Sequence, residues 1–198
     1  QEPDEGPCAY RYRLATDNLL SVRQLDEVDD PGFNDGAAVI ADTGLGPWIR
    51  RWSRHCPNCL AAGRSWSLGW EIFFADACGL CGHWLVDTCG ACGKRLAWNR
   101  DQLLRCDCGQ CLAAEESGSA PEAVVRMSRA LGCVARGQQP DDLPILSGLG
   151  VEQCVRLIRL LGTYGAHQGG NVPQKVPHLD RLDVSWQIST IAAEVLGS

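Results

Sequence analysis

Cys56-Pro57-Asn58-Cys59, Cys78-Gly79-Leu80-Cys81, Cys89-Gly90-Ala91-Cys92 and Cys106-Asp107-Cys108-Gly109 follow one another between Arg54 and Leu112, and their reading decides the fold. Nine of the twelve cysteines of this 198-residue chain lie in that stretch. A Cys-x-x-Cys turn places two thiolates on one edge of a tetrahedron, and a second pair from a later hairpin completes it. Cys56, Cys59, Cys78 and Cys81 form the first such set, and 18 residues separate its two halves. Within that interval Trp66, Leu68, Trp70, Ile72 and Phe74 alternate with period two, which predicts a strand.

The second set starts from Cys89 and Cys92, with 13 residues before Cys106. Cys106, Cys108 and Cys111 then offer three thiolates for two positions, and spacing alone favours Cys108-x-x-Cys111. His83 is a further candidate ligand, since imidazole binds zinc well, although a histidine beside a metal turn is more often a surface or supporting residue. The clustering argues for two structural zinc ions rather than disulfides, because disulfide frameworks scatter their cysteines through the fold. Cys8, Cys133 and Cys154 stand apart in apolar surroundings, as buried free thiols do.

Each set can fill itself with four thiolates, whereas a catalytic zinc keeps an open position for water. No His-x-Glu deaminase arrangement, His-Glu-x-x-His helix, phosphate-binding Gly-x-x-x-x-Gly-Lys loop or Gly-x-Ser-x-Gly elbow occurs. The chain therefore reads as a non-enzyme, with a zinc hydrolase or ligase as the reading to be excluded. A cross-braced RING arrangement fits poorly, because the spacings from Cys78 to His83 and from His83 to Cys89 are too long for it.

Around this centre, residues 1–48 are expected to form a helix-turn-helix-like region and linker. A helix is predicted from Pro7 to Asn18, with Tyr10, Leu14, Ala9 and Tyr12 on adjacent faces, since Pro suits a first helical turn. Ser21-Val22-Arg23-Gln24 fits a capping box for a second helix to about Val28. Residues 29–47 read as an irregular acidic and Gly-rich connection. Residues 49–112 are the tandem zinc-ribbon region. Residues 113–198 read as a C-terminal helical bundle. Its expected helices run from a Ser119-Ala120-Pro121-Glu122 capping box to Ala135, from Gly150 to Leu161, and from an Asp183 cap to Leu196. The fold class is thus small and mixed, mainly α: a helix-turn-helix-like pair, two tandem zinc ribbons and a helical bundle.

Charge is uneven. Residues 1–48 carry 3 basic and 10 acidic residues, residues 49–111 carry 8 and 5, and residues 112–198 carry 7 and 9, for a net charge of −6. A zinc held by four thiolates adds to the negative balance. That disfavours unspecific clamping of nucleic acid, whose affinity comes mostly from phosphate neutralisation. Arg50, Arg51 and Arg54, next to Trp48 and Trp52, together with Lys94, Arg95, Arg100 and Arg105, are the candidate nucleic-acid or partner contacts; each can equally be a solvated charge. The apolar runs are too short for a membrane span and no signal-like segment opens the chain. The start at Gln1 suggests trimming or a missing start.

Taken together, Arg54-His55-Cys56-Pro57-x-Cys59-Leu60, Trp66-x-Leu68-x-Trp70, Cys78, Leu85, Cys89-x-x-Cys92-Gly93-x-x-Leu96 and Cys106-x-Cys108-Gly109-x-x-Leu112 resemble the TniQ family of transposition proteins. Glu5, Arg13-Leu14-Ala15, Asn18, Ser21, Leu25 and Leu143-Pro144-Ile145-Leu146 fall in family-like order, so the resemblance covers nearly the whole chain. The family usually has Cys-Pro-x-His where this chain has Cys78-Gly79-Leu80-Cys81, a thiolate-for-imidazole exchange that zinc tolerates. The family pattern selects Cys106 and Cys108 for the second zinc and leaves Cys111 spare.

The resemblance implies a transposition adaptor without bond-making chemistry. Such a protein links target recognition, by an RNA-guided Cas complex or by target DNA, to a TnsC- or TniB-like AAA+ ATPase regulator. It also implies a bacterial cytoplasmic, nucleoid-associated setting, is compatible with a homodimer, and raises the expectation that the helical domain continues in longer members. The alternative is a stand-alone sequence-specific DNA-binding zinc protein.

Overall fold

The computed structural model describes residues 4–20, 24, 52–98, 100, 102–169 and 181–197. The expected second N-terminal helix (Gln24 excepted), the acidic linker, and Trp48, Arg50 and Arg51 lie outside the described residues. Five α-helices run through the described residues: α1 Pro7–Asp17, α2 Pro57–Ala61, α3 Glu122–Ala135, α4 Val151–Gly169 and α5 Leu182–Gly197. The architecture is mainly helical with little strand, since the described residues pair only through isolated antiparallel bridges such as His55 with Val86 and Thr88 with Arg95.

The predicted strand over residues 66–74 is not formed. Leu68–Trp70 is a 3-10 turn, with the Ser67 hydroxyl accepting from the Gly69 N–H at 3.3 Å, and Phe74 takes a left-handed φ of 63°. All five alternating residues are nevertheless buried, because the segment lies between two cores. Trp66 and Trp70 pack with the cysteines, Leu60, Leu85, Leu96 and Leu112, while Leu68, Ile72 and Phe74 pack with the C-terminal helices. Alternation here reports two apolar partners on opposite sides of one irregular segment, not a pleated strand.

Helix α1 begins after Gly6 with no side-chain cap of its own. Its orphan first-turn N–H groups are met from a distance: the Glu71 carboxylate accepts from Cys8 at 3.0 Å and from Ala9 at 3.1 Å. A Cβ at position 6 would overlap that carboxylate, which accounts for the glycine. The buried face is Pro7, Ala9, Tyr12 and Ala15, so Tyr10 and Leu14 are only half-buried.

Helix α3 buries Val124, Val125, Met127, Ala130 and Leu131. Its expected Ser119 cap is absent: Pro121 occupies the cap position, and Ser119 instead pairs with His83 across an antiparallel bridge. Helix α4 extends well beyond Leu161, carried by its close packing on α5. The approach is tight because the crossing residues are glycines: a Cβ at Gly162 would sit 2.5 Å from Ile188 Cγ2, and one at Gly165 would sit 2.5 Å from Ile191 Cγ2. Asp183 falls inside the first turn of α5 rather than at its cap, and pairs with Arg181 at 2.6 Å.

Candidate metal centres

Cys56, Cys59, Cys78 and Cys81 converge in one group, and Cys89, Cys92, Cys106 and Cys108 in another, with the ligating atoms of each group within 4.8 Å of one another. Cys111 and His83 lie outside both groups. His83 Nδ1 is engaged with the Cys81 carbonyl oxygen at 2.9 Å.

In the first group Cys56 immediately precedes α2, whose Pro57 start brings Cys59 back over it one turn later. Cys78 and Cys81 come from a turn closed by Gly82, with its N–H donating to the Cys78 carbonyl at 2.9 Å and its φ at +75°. The Sγ separations are 3.2 Å for Cys56–Cys81, 3.5 Å for Cys59–Cys78 and 3.7 Å for Cys59–Cys81. A tetrahedron with Zn–S bonds of about 2.3 Å has edges of about 3.8 Å, so a metal ion fits with small adjustments. The second group repeats the device with Gly93 and Gly109, at φ of +71° and +90°. Its Cys89–Cys108 and Cys92–Cys106 separations are both 3.7 Å. Both groups fit zinc by donor set and spacing.

The clustered thiols shift one another in both directions. The hydrogen bond from Cys56, backed by the N–H groups of Cys81 and Leu80, pulls Cys78 down to about 4. The Gln110 N–H is the main cause that pulls Cys108 down to about 7. Burial pushes Cys59 up to about 12, so on that side the metal has to displace a proton.

The two groups are joined by a residue that sequence spacing did not reveal. Glu115 Oε1 accepts the Gly90 N–H at 2.9 Å, inside the Cys89–Cys92 turn, while Glu115 Oε2 lies 3.2 Å from Nε2 of buried His55, next to Cys56. Burial raises the Glu115 carboxyl, but its contacts with His55 and the Gly90 N–H outweigh that and hold it below the ordinary carboxylate range. No motif marks this role, because Glu115 lies far along the chain from both partners.

The candidate contact residues divide. Arg54 is fully buried and so is not a surface contact: Nε donates to the Trp70 carbonyl at 3.0 Å, and the two terminal nitrogens reach Asp76 and the Ile72 carbonyl. Arg100 is 6% exposed, donates to Ser53, Ala97 and Leu103, and lies 5.3 Å from the Trp66 ring, so it too faces inward. Burial pulls its guanidinium down to about 10. Arg95 is half-buried, clamps Asp87 at 2.5 Å and lies over the Trp52 ring. Lys94 and Arg105 are exposed. Arg54 is neither the contact nor the solvated charge that its sequence allows, because a buried guanidinium beside a metal turn has the same local sequence as an exposed one.

No family model, curated protein or solved structure matches this chain. No helix among the described residues is long and apolar enough to cross a membrane.

Proposed function

We propose that this chain is a non-enzymatic adaptor of DNA transposition, similar in role to the TniQ family and built around two structural zinc ions. The observation that carries the reading is the pair of four-thiolate groups. Each completes a tetrahedron from its own side chains, leaving no ligand position at which a metal-bound water would act. The ordered cysteine, tryptophan, glycine and leucine residues from Arg54 to Leu112 support the family half of the proposal, since Trp66, Trp70, Leu85, Leu96 and Leu112 form one core with the thiolates.

In this reading the two cysteine groups are tandem ribbons, and α3 to α5 are the helical domain. The partners are an AAA+ ATPase regulator on one side and an RNA-guided Cas complex or target DNA on the other, in the bacterial cytoplasm at the nucleoid. Stand-alone DNA binding is less favoured. Two of the arginines that would serve it are buried, and the net charge is −6.

The test is co-purification with an AAA+ ATPase regulator of the TnsC or TniB type, with and without a guide complex. Retention of the ATPase that survives moderate salt is expected. Nanomolar binding of the isolated chain to one duplex, with no ATPase retained, would replace the adaptor by the DNA-binding reading.

A further inference from the structure

The two cysteine groups differ in what surrounds them. In the first, Cys56, Cys59 and Cys78 are buried and Cys81 alone is exposed, and α3 packs against the Cys78–Cys81 turn at Gly79. A Cβ at Gly79 would lie 3.4 Å from Arg129 Cα, and Arg129 Nε donates to the Gly79 carbonyl at 3.1 Å. In the second, Cys92 and Cys108 are both exposed, one from each half of the site. A Cβ added at Gly93 or Gly109 would meet no atom within 4 Å, so both turns are open at their closing glycines, and Glu115 reaches the Cys89–Cys92 turn only at Gly90. A cleft of about 380 Å³ opens along Gly90, Ala91 and Gln110, beside both halves. Each exposed sulfur also has a buried sulfur 3.7 Å away: Cys89 for Cys108, and Cys106 for Cys92.

We infer that the second group is an oxidation site for peroxide-class oxidants, at which two zinc thiolates become a disulfide and the metal is freed, while the first group, with one exposed sulfur instead of two and α3 against its turn, reacts more slowly. The inference rests on the reading of both groups as zinc sites. The chemistry follows from thiolate reactivity, which tracks exposure as well as charge. The Cys108 thiolate attacks one peroxide oxygen, the O–O bond breaks, and a sulfenic acid and, after protonation, one water form. The Cys89 thiolate then attacks the sulfenic sulfur, the S–O bond breaks, and protonation releases a second water. Two sulfurs have each given one electron, and the peroxide has taken both. Cys92 and Cys106 can react in the same way. Either disulfide leaves the zinc with two thiolates, too few to hold it against a chelator.

The experiment uses the full zinc-loaded chain. Bound zinc is counted first, then hydrogen peroxide is added with a colorimetric zinc chelator present, and cysteines are mapped by alkylation and mass spectrometry. One zinc per chain is expected to leave at least ~10-fold faster than the other, with the disulfide at Cys89–Cys108 or Cys92–Cys106. Fewer than two zincs at the start would overturn the zinc reading and this inference with it. Two zincs lost at one rate, or a first disulfide among Cys56, Cys59, Cys78 and Cys81, would overturn this inference alone. Cys111→Ser is expected to release zinc at the unaltered rate. A loss of rate of ~10-fold or more would move the reaction to Cys111 and overturn the assignment.

Discussion

Arg54 and Asp76 form an ion pair in which neither side chain has any exposed surface. The other carboxylate oxygen of Asp76 accepts from Ser185 Oγ at 2.6 Å and from Ser189 Oγ, both on α5. One buried polar chain thus runs from the residue two before Cys56 to the C-terminal helix, and it joins the cysteine core to the helical core. Taking one member away leaves a charge or several acceptors without partners in a dry interior. Arg54→Met is expected to cost about 3–5 kcal/mol. Asp76→Asn, which keeps the shape and loses the charge, is expected to cost less, about 1–3 kcal/mol. Urea unfolding of the zinc-loaded chain measures both. A loss below about 1 kcal/mol for Arg54→Met would show that the pair is not holding the cores together.

The ligand sets make a sharper forecast. Native mass spectrometry should find two zinc ions per chain, one after Cys108→Ser, and two after Cys111→Ser, since Cys111 lies outside the second group. Strong chelation should unfold the region around Trp66 and Trp70, because thiolates and tryptophans share one core. Retention of both zincs by Cys108→Ser, with loss of one by Cys111→Ser, would reverse the assignment that the geometry gives.

What the sequence revealed and what it hid divide along the range of the interactions. The first cysteine set and the Cys89–Cys92 half of the second were legible because a metal turn is a local device, complete within four residues; spacing alone favoured Cys108-x-x-Cys111 for the other half, whereas Cys106 and Cys108 converge, closed by Gly109. The C-terminal helices were legible from their periodicity, although the Ser119 capping box does not form, because Pro121 takes the cap position and Ser119 pairs with His83 far away along the chain. The alternation from Trp66 to Phe74 misled because two cores, each out of sight along the chain, demand apolar residues on opposite sides. Arg54, Glu71 and Glu115 take their roles from partners far away in sequence, and no local pattern distinguishes them from surface charges.

Glu71 carries a pH dependence whose sign can be worked out. Burial lifts its carboxyl from the ordinary 4.5 to about 7, against the hydrogen bonds from the Cys8 and Ala9 N–H groups, with the nearby Glu5 carboxylate adding to the lift. The folded chain therefore keeps a proton that the unfolded chain has released. Its contribution to stability is complete below pH 4.5 and is lost as pH rises through about 7. Each unit within that window costs about 1.4 kcal/mol. Glu71→Gln mimics the protonated form and should remove the dependence. Between pH 6 and pH 8, where the thiolates still hold metal, the wild-type chain should lose about 1–2 kcal/mol relative to the Gln variant. Parallel unfolding free energies for the two across that range would show that Glu71 is not the titrating group.

Two helical glycines should respond in opposite directions to the same change. Alanine normally improves a helix interior by about 1 kcal/mol over glycine. At Gly132 in α3 a Cβ would meet only the Arg136 guanidinium, at 3.5 Å, so Gly132→Ala should stabilise the chain by about 0.5–1 kcal/mol. At Gly162 in α4 the Cβ would meet Ile188 Cγ2 and the Ile188 carbonyl oxygen, both at 2.5 Å. A side-chain methyl can swing aside, but a backbone carbonyl within α5 cannot, so the two helices would have to separate. Overpacking of this kind costs about 1–3 kcal/mol, which exceeds the propensity gain, and Gly162→Ala should lower the thermal midpoint. A neutral or stabilising result there would mean that α4 and α5 cross at a greater distance than this structure gives them.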